Sequence, residues 1–116
     1  MKRPSSDFRG RVSFISEKDG GRKSLVRQGY RPDLAYKNDV DGLFMIWPRF
    51  LDASFHELPE QSEVPNSSHA DFTILSDELR NEVHRQNIRI GTEFWVCEGT
   101  RKVGEVVVTE IFESLK

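Results

Sequence analysis

The chain has 116 residues, of which 36% are hydrophobic and 31% charged, enough for one domain with a modest hydrophobic core and a hydrated surface. Its formal net charge of -2 excludes the strongly basic composition of a dedicated nucleic-acid binder. No stretch approaches the roughly 20 apolar residues of a membrane-spanning helix, and the first residues lack the apolar core of a signal peptide. The single cysteine excludes an intrachain disulfide. We therefore expect a cytoplasmic protein that does not bind membranes.

The N-terminal part of the sequence predicts a lead-in, a strand and a turn. Residues 1–10 are polar and contain Pro4 and Gly10, which predicts a flexible lead-in. Residues 11–16 alternate polar and apolar side chains with one exception, a pattern typical of a half-buried strand. The Asp-Gly-Gly run within residues 17–23 predicts an exposed turn, because these residue types tolerate a positive φ.

The middle of the sequence predicts two strands separated by turns. Pro32 indicates either an edge strand or the start of a strand, because proline has no backbone N–H to donate to a sheet. Residues 38–42 have turn composition. The continuous apolar run at residues 43–47 predicts a buried strand that ends at Pro48. Residues 57–71 are rich in Pro, Glu, Ser and Asn, which predicts a loop.

The C-terminal part predicts a strand at residues 72–75, a short helix at 76–86 capped by Ser76, and a β-hairpin within residues 91–112. Leu79 and Val83 lie four residues apart and would share one face of the helix. Several short strands with frequent turn signals and one small helix are typical of an all-β barrel or sandwich.

Four motifs follow one another along the chain in an order that a known barrel domain also shows. They are Asp19-Gly20-Gly21-Arg22-Lys23, Gly29-Tyr30-Arg31-Pro32, Asp39-Val40-Asp41-Gly42 and Glu98-Gly99-Thr100-Arg101-Lys102-Val103-Gly104. In this order the motifs resemble the C-terminal (third) β-barrel domain of bacterial elongation factor Tu. The chain looks like one of the free-standing bacterial proteins that are similar to that domain.

The resemblance covers roughly residues 11–112 and departs from the family over residues 43–86. It implies an all-β fold, a closed six-stranded antiparallel Greek-key barrel, with one short helix inserted around residues 76–86. Residues 11–116 would then form a single domain after the lead-in at 1–10.

The resemblance also implies a set of candidate binding residues, because the family's barrel helps to hold the T-stem of aminoacyl-tRNA. The Gly-Gly-Arg turn and the last hairpin are retained, whereas Asp33 and Asp41 stand where the family has Gln and Thr. Carboxylates repel phosphates, so these two acids favour a protein partner over tRNA. The candidate partner- or RNA-binding residues are Arg22, Lys23, Arg31, Asp33, Asp41, Glu98, Gly99, Arg101 and Lys102.

The sequence predicts a non-enzymatic, macromolecule-binding module resembling a translation-factor domain. It contains no Gly-x-x-x-x-Gly-Lys-Ser/Thr phosphate loop, nucleophile–base pair or metal-ligand cluster, so we expect no catalysis, cofactor, metal or bound nucleotide. The preferred partner is a protein. The alternative is tRNA or structured RNA bound through a basic patch of Arg22, Lys23, Arg101 and Lys102.

Other residues that often carry chemistry are predicted to be structural. Cys97 is predicted to be a buried thiol rather than a nucleophile. Trp47 and Trp95 are predicted to pack in the core or at the barrel seam, with base stacking as the alternative. The histidines lack metal-ligand spacing and are predicted at the surface: His56, His69 and His84.

Overall fold

The computed structural model describes residues 5–116 and contains one six-stranded antiparallel sheet. The strands are β1 (Phe8–Phe14), β2 (Asp33–Tyr36), β3 (Ile46–Leu51), β4 (Ser67–Ile74), β5 (Glu93–Glu98) and β6 (Arg101–Ile111). They lie in the order β2-β5-β6-β1-β4-β3, and the sheet curves into an open half-barrel. Six antiparallel strands are therefore confirmed, whereas the predicted closure is not.

The seam between the edge strands β2 and β3 stays open for a local chemical reason. One bridge joins them, in which Leu34 and Phe44 each donate a backbone N–H to the other's carbonyl at 2.9 Å. If that register continued, Pro32 would face Ile46 and Tyr30 would face Pro48. Each of these pairs contains a proline, which has no N–H to extend the ladder. The prediction that Pro32 marks an edge strand or a strand start is confirmed, because β2 begins at Asp33 and lies at one edge of the sheet.

The first strand begins earlier than the sequence indicated, at Phe8 rather than at residue 11. Residues 1–4 of the predicted lead-in lie outside the described residues, but Asp7 and Phe8 are fully buried. Phe8 stacks on Phe72 with ring centroids 4.9 Å apart. The apolar contacts of Phe8 and its antiparallel pairing to β4 fix this segment, so the flexible lead-in was wrong for the residues from Asp7 onward.

The apolar run at residues 43–47 is not the buried strand that was predicted. The strand β3 starts at Ile46 and passes through Pro48, which an edge strand tolerates because its second edge pairs with no other strand. Side chains alternate between the two faces, so Ile46 is buried while Met45 is 58% exposed.

The predicted helix is confirmed at residues 77–87, with an irregular middle. It consists of a first α-helical turn (Asp77–Leu79), a π-helical segment (Arg80–His84) and a last α-helical turn (Arg85–Asn87). Ser76 caps the start as predicted, since its Oγ accepts the backbone N–H of Leu79 at 3.1 Å.

The buried carboxylate of Asp7 ties this helix to the sheet and to the C-terminal residues. It accepts hydrogen bonds from the Ile74 N–H (2.7 Å), the Arg80 Nε (2.9 Å) and the Ser114 hydroxyl (2.6 Å). A fully buried carboxylate requires such donors to offset its lost hydration.

The closing hairpin is confirmed as β5 and β6, joined at a turn that contains Gly99. β6 is the longest strand and pairs with both β5 and β1. At Gly10 of β1 the neighbouring strand leaves no room for a side chain, because a Cβ atom would lie 2.7 Å from Cγ1 of Val106 and 3.0 Å from the carbonyl oxygen of Val107. Glycine at this position therefore permits the tight coiling of β1 against β6.

Candidate functional site

The predicted basic residue Arg22 is engaged within the molecule. Its guanidinium forms an ion pair with Glu98 and lies 5.1 Å from the centre of the Tyr30 ring. The Tyr30 hydroxyl donates to the same carboxylate oxygen of Glu98 at 2.5 Å. Burial alone would raise the pKa of Glu98, but hydrogen bonds from Tyr30 and Arg22 outweigh it and lower that pKa. Arg22 is thus neutralised by a neighbour of its own chain.

Arg101 also has a structural contact. Its guanidinium donates to the backbone carbonyls of Gly20 at 3.2 Å and Gly21 at 2.5 Å, which ties the 20–21 turn to the start of β6. Arg22 and Arg101, two of the four cations of the predicted RNA-binding patch, are therefore committed to contacts inside the chain.

Two further predicted residues, Lys102 and Asp33, lie beside Trp95 and Cys97 of β5. The Lys102 ammonium is 4.5 Å from the Trp95 ring centre, and Lys37 approaches the same ring at 4.2 Å. Asp33 is directly opposite Cys97 in the β2–β5 ladder. Cys97 is buried as predicted, and burial raises the pKa of its thiol.

The structure brings only part of the predicted site together. Arg22 pairs directly with Glu98, and Arg101 donates to the backbone of the 20–21 turn that immediately precedes Arg22. Lys23 and Asp41 are exposed on separate turns.

Arg31 stands apart from the other predicted cations, over the second tryptophan. Its guanidinium carbon lies 4.5 Å from the centre of the Trp47 ring, and among residues 5–116 the side chain forms no ion pair. Trp47 and Trp95 are each half-buried beneath cationic side chains on the outer face of the sheet. Placement in the core was wrong for both, because they occupy strand positions that alternate with buried ones. The other predicted place, the barrel seam, fits Trp47, which lines a depression together with Tyr30, Arg31 and Pro48.

A group of exposed apolar side chains surrounds Trp47, and two of them, Leu43 and Met45, belong to the run that was predicted to be a buried strand. Leu43 is 47% exposed, Met45 58% and Leu75 38%. The Leu75 N–H donates to the Met45 carbonyl at 3.2 Å, so these two residues face each other across β3 and β4. Trp47 lies two residues further on, on the same side of the strand. We call Leu43, Met45, Trp47 and Leu75 the apolar face.

A depression of about 400 Å³ adjoins the apolar face along the open seam. We call it the seam groove; its lining includes Tyr30, Arg31, Trp47, Pro48, Glu60 and Leu75. The apolar face and the seam groove therefore share Trp47 and Leu75. Sequence reasoning recovered Arg31 here but missed the apolar members, because a continuous apolar run does not say which side faces solvent.

His84 is a further residue that the sequence misplaced. It is fully buried within the π-helical segment, where its Nδ1 and the Tyr36 hydroxyl share a hydrogen bond of 2.8 Å. Its ring packs edge-on against Phe44, and among residues 5–116 its Nε2 has no hydrogen-bond partner. Burial, assisted by the charge of Arg80 and opposed by that of Asp7, lowers the pKa of His84 to about 4. His56 is exposed as predicted, while His69 is half-buried.

Comparison with protein-family models gave no match for this chain. The similarity to the third domain of elongation factor Tu therefore remains a prediction from the quoted motifs. Within the described part of the chain, no three His, Cys, Asp or Glu side chains are grouped so as to hold a metal ion. Nor is any helix there long and apolar enough to cross a membrane.

Proposed function

We propose that this chain is a non-enzymatic binding module whose apolar face docks onto a partner protein. The observation that carries the proposal is the cluster of Leu43, Met45, Trp47 and Leu75 at the surface of a chain that already has a well-filled core. Contiguous exposed apolar groups on a small domain mark interaction surfaces, because covering them removes apolar area from water.

The composition of the face supports a protein partner. Met, Trp and Arg are enriched in protein–protein interfaces, and a large aromatic side chain near the centre often supplies much of the binding energy. Here Trp47 lies between Met45 and the seam groove, with Arg31 beside it.

RNA is a weaker candidate for the same surface. Binding to nucleic acid depends on several cations that neutralise phosphates. Arg22 and Arg101 are held by Glu98 and by backbone carbonyls, and Asp33 and Asp41 add negative charge to the predicted site. Docking beside the translation machinery, which the elongation-factor resemblance implies, is compatible with a protein partner.

The proposal is tested by capture on three immobilised proteins: the wild type, Met45→Glu and Val107→Glu. Val107 is the matched control, because it is an apolar residue with 39% exposure on the outer face of β6. Both substitutions place a carboxylate on the surface of the sheet, so neither is expected to unfold the protein, and thermal melting verifies this.

We expect a protein from the lysate of the source cell to be retained by the wild type and by Val107→Glu, to be lost from Met45→Glu, and to survive nuclease treatment. Equal retention by all three proteins would place binding elsewhere on the surface. Retention that nuclease abolishes would instead support RNA as the ligand and refute the proposal.

A further inference from the structure

We propose that the seam groove receives a segment of the partner in which a carboxylate neighbours an apolar side chain. The carboxylate would meet Arg31, and the apolar side chain would pack against Trp47 and Leu75. This inference rests on the proposed function, since the groove shares Trp47 and Leu75 with the apolar face. It goes further by naming the chemistry of the segment that is bound.

The charges of the groove point to an acidic ligand. Arg49 lies in the groove but is ion-paired with Glu60 and has Glu57 within 3.9 Å. Arg31, in contrast, forms no ion pair among the residues that the structure describes and contacts the Trp47 ring. A guanidinium placed over an aromatic ring keeps N–H groups at its edge that can donate to a carboxylate. Within residues 5–116, the groove therefore holds one cation whose charge no ion pair balances.

The test selects random short peptides, displayed on phage, on the immobilised full chain. We expect enrichment of sequences with Asp or Glu next to a large apolar residue. The most enriched peptide is then synthesised and titrated into isotope-labelled protein, with amide and indole shifts reporting both affinity and location.

The substitution Arg31→Gln is expected to weaken this peptide about tenfold, because a charge-assisted hydrogen bond is lost. Arg31→Lys should keep part of the affinity, since the charge remains. The matched control is Arg11→Gln, which removes another exposed arginine, on β1. This control should leave the affinity unchanged. An unchanged melting temperature of each variant confirms that it is folded.

Three outcomes overturn the inference: no enrichment, enrichment without acidic residues, or equal affinity for wild type and Arg31→Gln. Peptides that shift Met45 and Trp47 without an acidic preference would overturn this inference alone and leave the proposed function standing. Peptides that shift only residues remote from Met45 would count against the proposed function as well.

Discussion

Replacement of His84 by Gln should change how the stability of the protein depends on pH. His84 is fully buried, its Nε2 has no hydrogen-bond partner within residues 5–116, and its pKa is lowered to about 4. The protonated ring needs two hydrogen-bond acceptors, and the described part of the chain supplies at most one, the Tyr36 hydroxyl. Among the charged groups facing it, the carboxylate of Asp7 favours protonation and the guanidinium of Arg80 opposes it.

The sign and size of the effect follow from proton linkage. In the unfolded chain histidine has a pKa of about 6.5, so between pH 6.5 and 4 the unfolded state binds more protons than the folded state. The stability that neutral His84 provides is therefore fully present above pH 6.5, is lost as the pH falls toward 4, and falls no further below that. With about 1.4 kcal/mol for each pKa unit, the loss between pH 8 and pH 5 is about 2 kcal/mol.

The assay is urea denaturation of wild type, His84→Gln and His56→Gln at pH 8 and pH 5. At pH 8 we expect His84→Gln to be less stable than wild type by about 1–3 kcal/mol, because ring packing is lost. At pH 5 that gap should shrink by about 2 kcal/mol, because Gln does not titrate. The exposed His56 serves as the control, and its variant should follow the wild type at both pH values.

A gap of unchanged size at the two pH values would refute the reasoning. If His84→Gln does not fold, an NMR titration of the wild-type histidine rings provides the same test. One ring should then titrate near pH 4, and titration of all three near 6.5 would contradict the account.

Three further substitutions test the packing of the fold by urea denaturation. Gln28→Leu should lower the free energy of unfolding by about 3 kcal/mol, because the fully buried Gln28 amide forms hydrogen bonds with both the N–H and the carbonyl of Phe50. A loss below about 1 kcal/mol would show that those groups find other partners. Gly21→Ala should lower the free energy of unfolding by roughly 3 kcal/mol, because the added Cβ would lie 1.8 Å from the Ile15 carbonyl oxygen. An unchanged free energy of unfolding would contradict this close approach. Arg101→Ala should lower the free energy of unfolding by no more than about 1 kcal/mol, because Arg101 is an exposed residue that contacts the 20–21 turn only through backbone carbonyls; a larger loss would indicate additional contacts.

Features that depend on local chemistry were predictable from the sequence. The β5–β6 hairpin, the Ser76 cap and the edge strand after Pro32 each follow from residue types within a few positions of one another. The hairpin and the cap are held by hydrogen bonds between residues close in sequence, and the edge strand follows from the missing N–H of Pro32.

Features that depend on distant partners were not predictable in this way. Asp7 and His84 are polar residues that become buried only because Arg80, Ser114 and Tyr36 reach them from other parts of the chain. Their burial carries no signal in the neighbouring sequence.

The candidate site was recovered in part for a related reason. Arg31 was identified as a binding candidate, but Met45 was assigned to a buried strand with the rest of its apolar run, and the exposure of Leu75 was not predicted. Whether an apolar residue faces the core or the solvent depends on where the strand starts. Here Pro48 lies inside β3 instead of ending it, and the side chains that face solvent follow from that register.

The central claim, that the apolar face binds a partner protein, is tested most directly by photo-crosslinking in the source cell. A photoreactive phenylalanine analogue is placed at Met45 in one protein and at Val107 in another, both exposed positions on the outer face of the sheet. The account predicts a nuclease-resistant protein adduct from Met45 that is absent from Val107 and that weakens when Trp47 is replaced by Ala. The same adducts from both positions, or none from Met45, would contradict it.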